Sequence, residues 1–216
     1  MSFSNLASTA SQKRTLAWTE RLFIEYLVDS APEVESASPG GDVAQGLRQP
    51  QKTLPPKYFY DDRGSQLFEQ ICSLPEYYLT RTEAAILDAH AGSIANITEA
   101  CELVELGSGS STKTRSLLTA YQALGCPLWY CPIDVSAGIL ESSAQQLLEE
   151  YSTLKIHALV GTYELGLQHL SAGYLPKRMI SFLGSSLGNL NPEECDRFFD
   201  QIAAALRPGD YFLLGV

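Results

Sequence analysis

From residue 102 onward the chain alternates short β-rich runs with stretches of helical periodicity, and this alternation constrains the fold more than any other feature. The runs are 102–106 (ELVEL), 128–134 (LWYCPID), 155–160 (KIHALV), 178–183 (RMISFL) and 211–216 (YFLLGV), with helical patterns near 112–124, 137–150, 164–171 and 192–206. No tight hairpin signal separates them, so consecutive strands are joined by crossover helices. Such connections are right-handed and give a parallel sheet covered on both faces. The predicted fold class is therefore α/β, a doubly wound parallel sheet. Ligands of such sheets bind beyond the carboxyl ends of the strands, near the point where strand order reverses. The loops after Leu106, Asp134, Val160 and Leu183 are where chemistry is to be sought. The last helix has the clearest start signal, Asn191 as cap followed by Pro192 at the first helical position.

Upstream the pattern differs. Leu16, Phe23 and Leu27 recur at near-helical spacing, which predicts a short amphipathic helix over 13–30. Ala31 to Lys52 carries Pro32, Pro39, Pro50, Gly40, Gly41 and Gly46 and offers little apolar area, so it reads as a linker. The expected organisation is an N-terminal helix and linker over 1–53 and a domain over 54–216. Within that domain, Leu67, Phe68 and Ile71 share one face of a short helix that Leu74-Pro75 ends. A tyrosine pair follows at Tyr77 and Tyr78. Thr80 and Glu83 then spell a T-x-x-E capping box opening a helix to about Ile97.

Of the 216 residues, 45% are hydrophobic and 19% charged, a balance that excludes wholesale disorder. Lys+Arg number 15 against 25 Asp+Glu, and the net charge of -10 repels polyanions, so nucleic acid is not an expected partner. No window approaches the roughly 18 apolar residues of a membrane span. The first residues lack the apolar core of a secretory signal, and the expected location is the cytoplasm. Cys72, Cys101, Cys126, Cys131 and Cys195 form no C-x-x-C, and His90, His157 and His169 are not at ligand spacing; reduced thiols and no metal are expected. Oligomeric state is not legible at this level.

The loop Gly107-Ser108-Gly109-Ser110-Ser111-Thr112-Lys113-Thr114 runs from a strand into a helix and offers backbone N–H groups to a ligand. It admits three functional readings. A dinucleotide G-x-G-x-x-G lacks its third glycine, replaced by Thr112. A P-loop, with Lys113 and Thr114 in place, lacks the glycine before the lysine, and a β-branched Thr112 is ill suited to close phosphate approach. The third is the E-x-G-x-G turn of class I S-adenosylmethionine (SAM) methyltransferases. In that turn Glu105, Gly107 and Gly109 surround the methionine part of the cofactor. Asp134, ending the next strand, would then bind the ribose, because a carboxylate accepts from two vicinal hydroxyls at once. A plain tight turn with a solvated Asp134 is the remaining alternative.

Gly184-Ser185-Ser186-Leu187-Gly188 matches G-x-S-x-G, but an α/β-hydrolase places its acid and histidine after the serine, and every histidine here precedes Ser186. This loop is better read as lining the cleft, with the Asn189 amide offered to a substrate or serving as a turn residue ahead of the Asn191 cap.

Several phrases taken together, LPPKYFYDDRGSQLFEQICSLPEYYLTRTEAAIL, LVELGSGSSTKTRSLL, YCPIDVSAGIL, SFLGSSLGNLNPEE and LRPGDYFLLG, resemble one family. It is the histidine-specific Nα-methyltransferases that make trimethylhistidine (hercynine) in ergothioneine biosynthesis, relatives of which methylate other aromatic amino acids in fungi. The similarity runs from about Leu54 to the last residue, and its LPEYY-x-TR-x-E and FLGSS-x-GN phrases are more specific than the glycine loop. The resemblance implies a Rossmann-like SAM-dependent enzyme that transfers three methyl groups in succession to the α-amine of histidine. By position, Gly107, Gly109 and Lys113 would meet the methionine portion of SAM, Asp134 its ribose, and Thr162 and Tyr163 its adenine. Tyr60 and Tyr77 would face the imidazole of the amino acid and Asn189 its carboxylate. No catalytic side chain is implied, since the sulfonium already carries the leaving group and the protein orients, excludes water and presents a neutral amine.

Two departures accompany the resemblance. Thr162 stands where the family has an Asp that would accept from the adenine amine, and the chain stops at Val216, where the family continues with its last strands and the lobe that grips the imidazole. A SAM-binding segment without catalysis and a P-loop-like nucleotide-binding protein are the alternative functions.

Overall fold

A computed structural model describes residues 14–27, 41–170 and 173–216. Its centre is one sheet of seven strands: β1 (Arg14–Thr19), β2 (Leu22–Tyr26), β3 (Cys101–Leu106), β4 (Trp129–Asp134), β5 (Lys155–Val160), β6 (Lys177–Phe182) and β7 (Tyr211–Leu214). Their order is β1-β2-β5-β4-β3-β6-β7, parallel throughout except for the antiparallel β1–β2 pair. The helices are α1 (Gly41–Arg48), α2 (Asp62–Cys72), α3 (Leu79–Thr98), α4 (Thr114–Ala123), α5 (Ala137–Glu150), α6 (Tyr163–His169) and α7 (Pro192–Ala205), with 3₁₀ turns at Pro56–Phe59 and Ser186–Asn189.

Side-chain alternation sorts the core into two layers. From β3, Cys101 and Leu103 join Ala91 and Ala95 of α3, Leu117, Leu118 and Tyr121 of α4, and Leu140, Ala144 and Leu147 of α5. Val104 and Leu106 point the other way, toward Leu167 of α6 and Phe198 and Ile202 of α7. A period of two on a strand covered on both faces leaves all six β3 residues buried, as a central parallel strand requires. Each fully buried leucine in these layers contributes about 1.5–3 kcal/mol, so the sheet and its helices are held chiefly by this packing. The α7 start forms as expected: Asn191 accepts from Glu194 N at 2.9 Å and the Glu194 side chain accepts from Asn191 N at 2.8 Å, with Pro192 in the first turn.

Three expectations are overturned. Where a helix is predicted over 13–30, residues 14–26 instead form the β1–β2 hairpin, turning at Glu20 and Arg21; residues 13 and 28–30 lie outside the described residues. Leu22 and Ile24 are buried on one face while the open edge of β5 supplies a ladder from Leu22↔Ile156 to Tyr26↔Val160, and these long-range bonds outweigh a local 3.6-residue pattern. Arg21 reinforces the choice by donating to the carbonyls of Tyr151 (3.1 Å) and Ser152 (3.0 Å) just beyond α5, where a cation also meets the negative end of that helix. The stretch read as linker contains α1; its residues 31–40 lie outside the described residues. Finally, α3 opens at Tyr78 with no side-chain cap, so the Thr80–Glu83 capping box does not form: Thr80 Oγ1 donates to Cys72 Sγ at 3.4 Å and Glu83 turns elsewhere.

Candidate functional site

The strand order reverses between β3 and β6. The chain leaves β3 for α4 on one face and leaves β6 for the Ser186–Asn189 turn and α7 on the other, which opens a crevice at their carboxyl ends. The glycine loop fills one lip of it. Gly107 N and Ser108 N both donate to Ile133 O, at 2.8 and 3.2 Å, so the turn is anchored to the neighbouring strand. Gly107 and Gly109 have φ of 67° and 50°, a region open to glycine at little cost, and a Cβ at either would meet no atom within 4 Å. Ser111, at φ 53°, is held by a 2.9 Å hydrogen bond between its hydroxyl and that of Tyr130. Beneath the loop the buried Glu105 accepts from Thr114 Oγ1 at 2.5 Å and from Tyr130 OH, and burial pushes its carboxyl above the usual carboxylate range.

Asp134 ends β4 beside this turn. Its Oδ2 accepts from Gly109 N at 2.8 Å and its Oδ1 from Ser136 N at 2.9 Å. Burial raises its pKa, and the N–H groups of Ser136, Gly109 and Val135 partly counter that shift. Two acceptor oxygens with lone pairs to spare are thus fixed at the edge of an open turn.

Above the loop, α2 and the start of α3 form an aromatic wall. Phe68 stands edge-on between Tyr60 (centroids 5.8 Å apart) and Tyr77 (5.9 Å), and Ser110 Oγ donates to Glu69 Oε1 of α2 at 3.0 Å. Both tyrosine pKa values are raised, first by burial and then by Cys72, with Asp134 acting also on Tyr60 and Glu83 also on Tyr77. Arg81 secures the bend between the two helices, donating to Leu74 O at 2.8 Å and to Pro75 O at 2.7 Å.

The remaining residues singled out in the sequence are placed less uniformly. Lys113 caps α4 and pairs with Glu83. Thr162 serves as N-cap of α6, its hydroxyl accepting from Leu165 N at 3.4 Å. The Tyr163 ring is engaged with Phe182 and Phe198 in the core layer under α7. Asn189 is exposed at the end of its 3₁₀ turn, and Ser186 donates to Leu183 O at 3.1 Å, a bond within its own turn. Gly107, Gly109, Lys113, Asp134, Tyr60 and Tyr77 therefore converge on one crevice, with Thr162 and Asn189 at the mouths of the adjoining loops.

Comparison with known proteins decides among the three readings of this loop. The family described as histidine-specific, SAM-dependent methyltransferase matches residues 40–216. The chain belongs to that family. The match begins ahead of Leu54 and takes in α1. Histidine N-alpha-methyltransferase of Mycobacterium tuberculosis is 46% identical over 174 residues, covering 81% of this chain and 54% of that protein. Ergothioneine biosynthesis protein 1 of Neurospora crassa is 38% identical over 168 residues, 76% of this chain and 19% of that protein. The chain thus spans about half the length of its mycobacterial relatives. The crystal structure of magnesium protoporphyrin IX methyltransferase from Synechocystis with bound SAH superposes with a TM-score of 0.51 at 14% identity, covering 69% of this chain and 66% of that one, which establishes a shared class I methyltransferase fold.

The cofactor of this family is SAM, and the crevice fits it. Gly107 and Gly109 leave the space beside the turn open, and the buried Ser108 hydroxyl next to them has no hydrogen-bond partner among the described residues. An acceptor pair at Asp134 and a cation at Lys113 stand on either side. The residue missed from sequence is Glu83. It closes the LPEYY-x-TR-x-E phrase, but its T-x-x-E spacing reads equally well as a capping box.

Proposed function

We propose that this protein transfers methyl groups from SAM to the α-amine of L-histidine, in succession, to give trimethylhistidine (hercynine), a step of ergothioneine biosynthesis. The observation that carries this reading is the family match over residues 40–216, which takes in every residue assigned here, from Tyr60 to Asn189. When bound, SAM supplies a methyl group already activated on a sulfonium.

The chain's own residues have the remaining tasks. Asp134 accepts from the two ribose hydroxyls while Gly109 N and Ser136 N hold its carboxylate in place. Lys113 meets the carboxylate of the methionine portion, and Gly107 and Gly109 admit that portion close to the backbone. Thr162 and the backbone at Tyr163 border the adenine. Tyr60 and Tyr77 flank the imidazole, Asn189 takes the carboxylate of the amino acid, and together they orient the amine in line with the methyl group. That orientation is the main source of rate in a reaction that needs no protein nucleophile.

The test is transfer of labelled methyl from SAM, with histidine, tryptophan and tyrosine offered separately. Label is expected in histidine as mono-, di- and trimethylated products. Label in tryptophan or tyrosine with none in histidine would overturn the assignment of the substrate.

A further inference from the structure

Three segments distant in sequence meet at one carboxylate. Glu83, on α3, reaches the β3/β6 crevice, where Gly184 N donates to its Oε1 at 2.8 Å and to its Oε2 at 2.9 Å, and the Lys113 ammonium pairs with Oε2. Gly215, just after β7, lies so near that a Cβ there would collide with Oε1. Gly184 has φ 86°, a conformation that favours glycine, and Lys113 Nζ lies in ordinary contact distance of where its Cβ would be.

Stability alone does not account for this arrangement. The Glu83 and Lys113 side chains are only 16% and 19% exposed, and taking two charges out of water offsets most of what their attraction returns. The helix that carries Glu83 is already held to the sheet by Leu87, Ala91 and Ala95. What the arrangement does fix is position. Tyr77 precedes Glu83 by one turn and a half of chain, Lys113 caps α4, and Asn189 closes the turn that Gly184 opens.

We infer that Glu83 is a positioning residue for methyl transfer: it locks Lys113, on the cofactor side of the crevice, to the Gly184 turn and the start of α3, which carry the amino-acid side. This rests on the proposed roles of Lys113 and Asn189. Its physical content is preorganisation, since a lysine held in place before binding loses no rotamer freedom when a carboxylate arrives.

The experiment is calorimetric titration with S-adenosylhomocysteine (SAH) of the parent protein, Glu83→Gln, Lys113→Met and the double variant, with Asp134→Ala alongside. The glutamine keeps an oxygen for Gly184 N but loses the charge that holds Lys113. Glu83→Gln is expected to weaken SAH about 5- to 10-fold, the cost of immobilising one long side chain on binding. In the Lys113→Met background the same change is expected to have less than about a 2-fold effect, because the lysine through which Glu83 acts is gone.

An equal loss in both backgrounds, following a lowered melting temperature, would mean that Glu83 is only a structural staple and would overturn the inference. Unchanged SAH affinity in Glu83→Gln, with Asp134→Ala impaired, would also overturn it while leaving the cofactor site intact. A parent protein that does not bind SAH would remove both. If Glu83→Gln melts below the assay temperature, Glu83→Asp poses the same question, since it keeps the charge but falls one methylene short of Lys113 and Gly184 N; it too should weaken SAH only when Lys113 is present.

Discussion

Two carboxylates grip left-handed glycines on opposite lips of the same crevice, and they are spent differently. Asp134 accepts from Gly109 N and Glu83 from Gly184 N, both at 2.8 Å, and each glycine has positive φ. Glu83 completes its coordination with a protein cation, Lys113. Among the described residues Asp134 is met by backbone N–H donors alone, from Gly109, Ser136 and Val135, and burial raises its pKa. A buried carboxylate without a cation is costly to keep ionised, and such cost is characteristic of sites kept for a ligand. One carboxylate is therefore set toward an incoming partner and the other toward the protein itself.

The largest expected effect breaks the first half of that comparison. Asp134→Ala should weaken SAM and SAH binding by about 1.5–3 kcal/mol, the range for hydrogen bonds to a charged group, measured by calorimetry. Its melting temperature should hardly fall, since relief of a buried charge compensates the lost backbone contacts. Undiminished binding would show that the ribose lies elsewhere.

A third carboxylate sharpens the contrast: Glu105, expected from the sequence beside the methionine part of SAM, is spent on the neutral hydroxyls of Thr114 and Tyr130, with the Lys113 charge a lesser influence. Glu105 is buried beneath the loop, and both its hydrogen bonds, from Thr114 and Tyr130, fall on Oε2, so a glutamine oxygen can accept them. Burial raises its folded-state pKa above that of the unfolded chain, so the proton is held more tightly in the folded protein. Stability from this group is full below the unfolded pKa and is lost as pH rises through the folded one. Glu105→Gln should therefore raise the melting temperature at alkaline and neutral pH, by about 1 kcal/mol of stability, the scale of one hydrogen bond. The gain should shrink as pH falls toward the ordinary carboxylate range, while SAH affinity stays constant. A gain that does not depend on pH would mean that Glu105 is not the titrating group.

The smallest effect concerns the adenine end. Thr162→Asp should tighten SAM by about 0.5–1 kcal/mol by supplying a charged acceptor for the adenine amine. Aspartate is as good an N-cap as threonine, so α6 should be undisturbed. Equal or weaker binding in titration would show that the adenine is held by other groups.

What was legible in the sequence follows the same division. The strands β3 to β7 and the helices between them were readable because each is decided by its own residues: a buried apolar run for a parallel strand, and Asn191-Pro192 for the start of α7. Asp134 was readable because a parallel sheet fixes where a strand ends relative to the preceding glycine turn. The β1–β2 hairpin was not, because its partner, the edge of β5, lies about 130 residues away and no local pattern reports it. Glu83 failed for a related reason. Its spacing from Thr80 satisfied a local motif, and only the folded sheet brings Lys113 and Gly184 within reach of it.

The central claim is that the crevice between β3 and β6 is a SAM site in which Asp134 and Lys113 hold opposite ends of the ligand. It is tested most directly by titrating this protein with SAH and, in a separate experiment, with Mg-ATP. SAH should bind with one-to-one stoichiometry and Mg-ATP should give no heat beyond dilution. Saturable Mg-ATP binding with no response to SAH would contradict the account, because the glycine loop would then be holding phosphates.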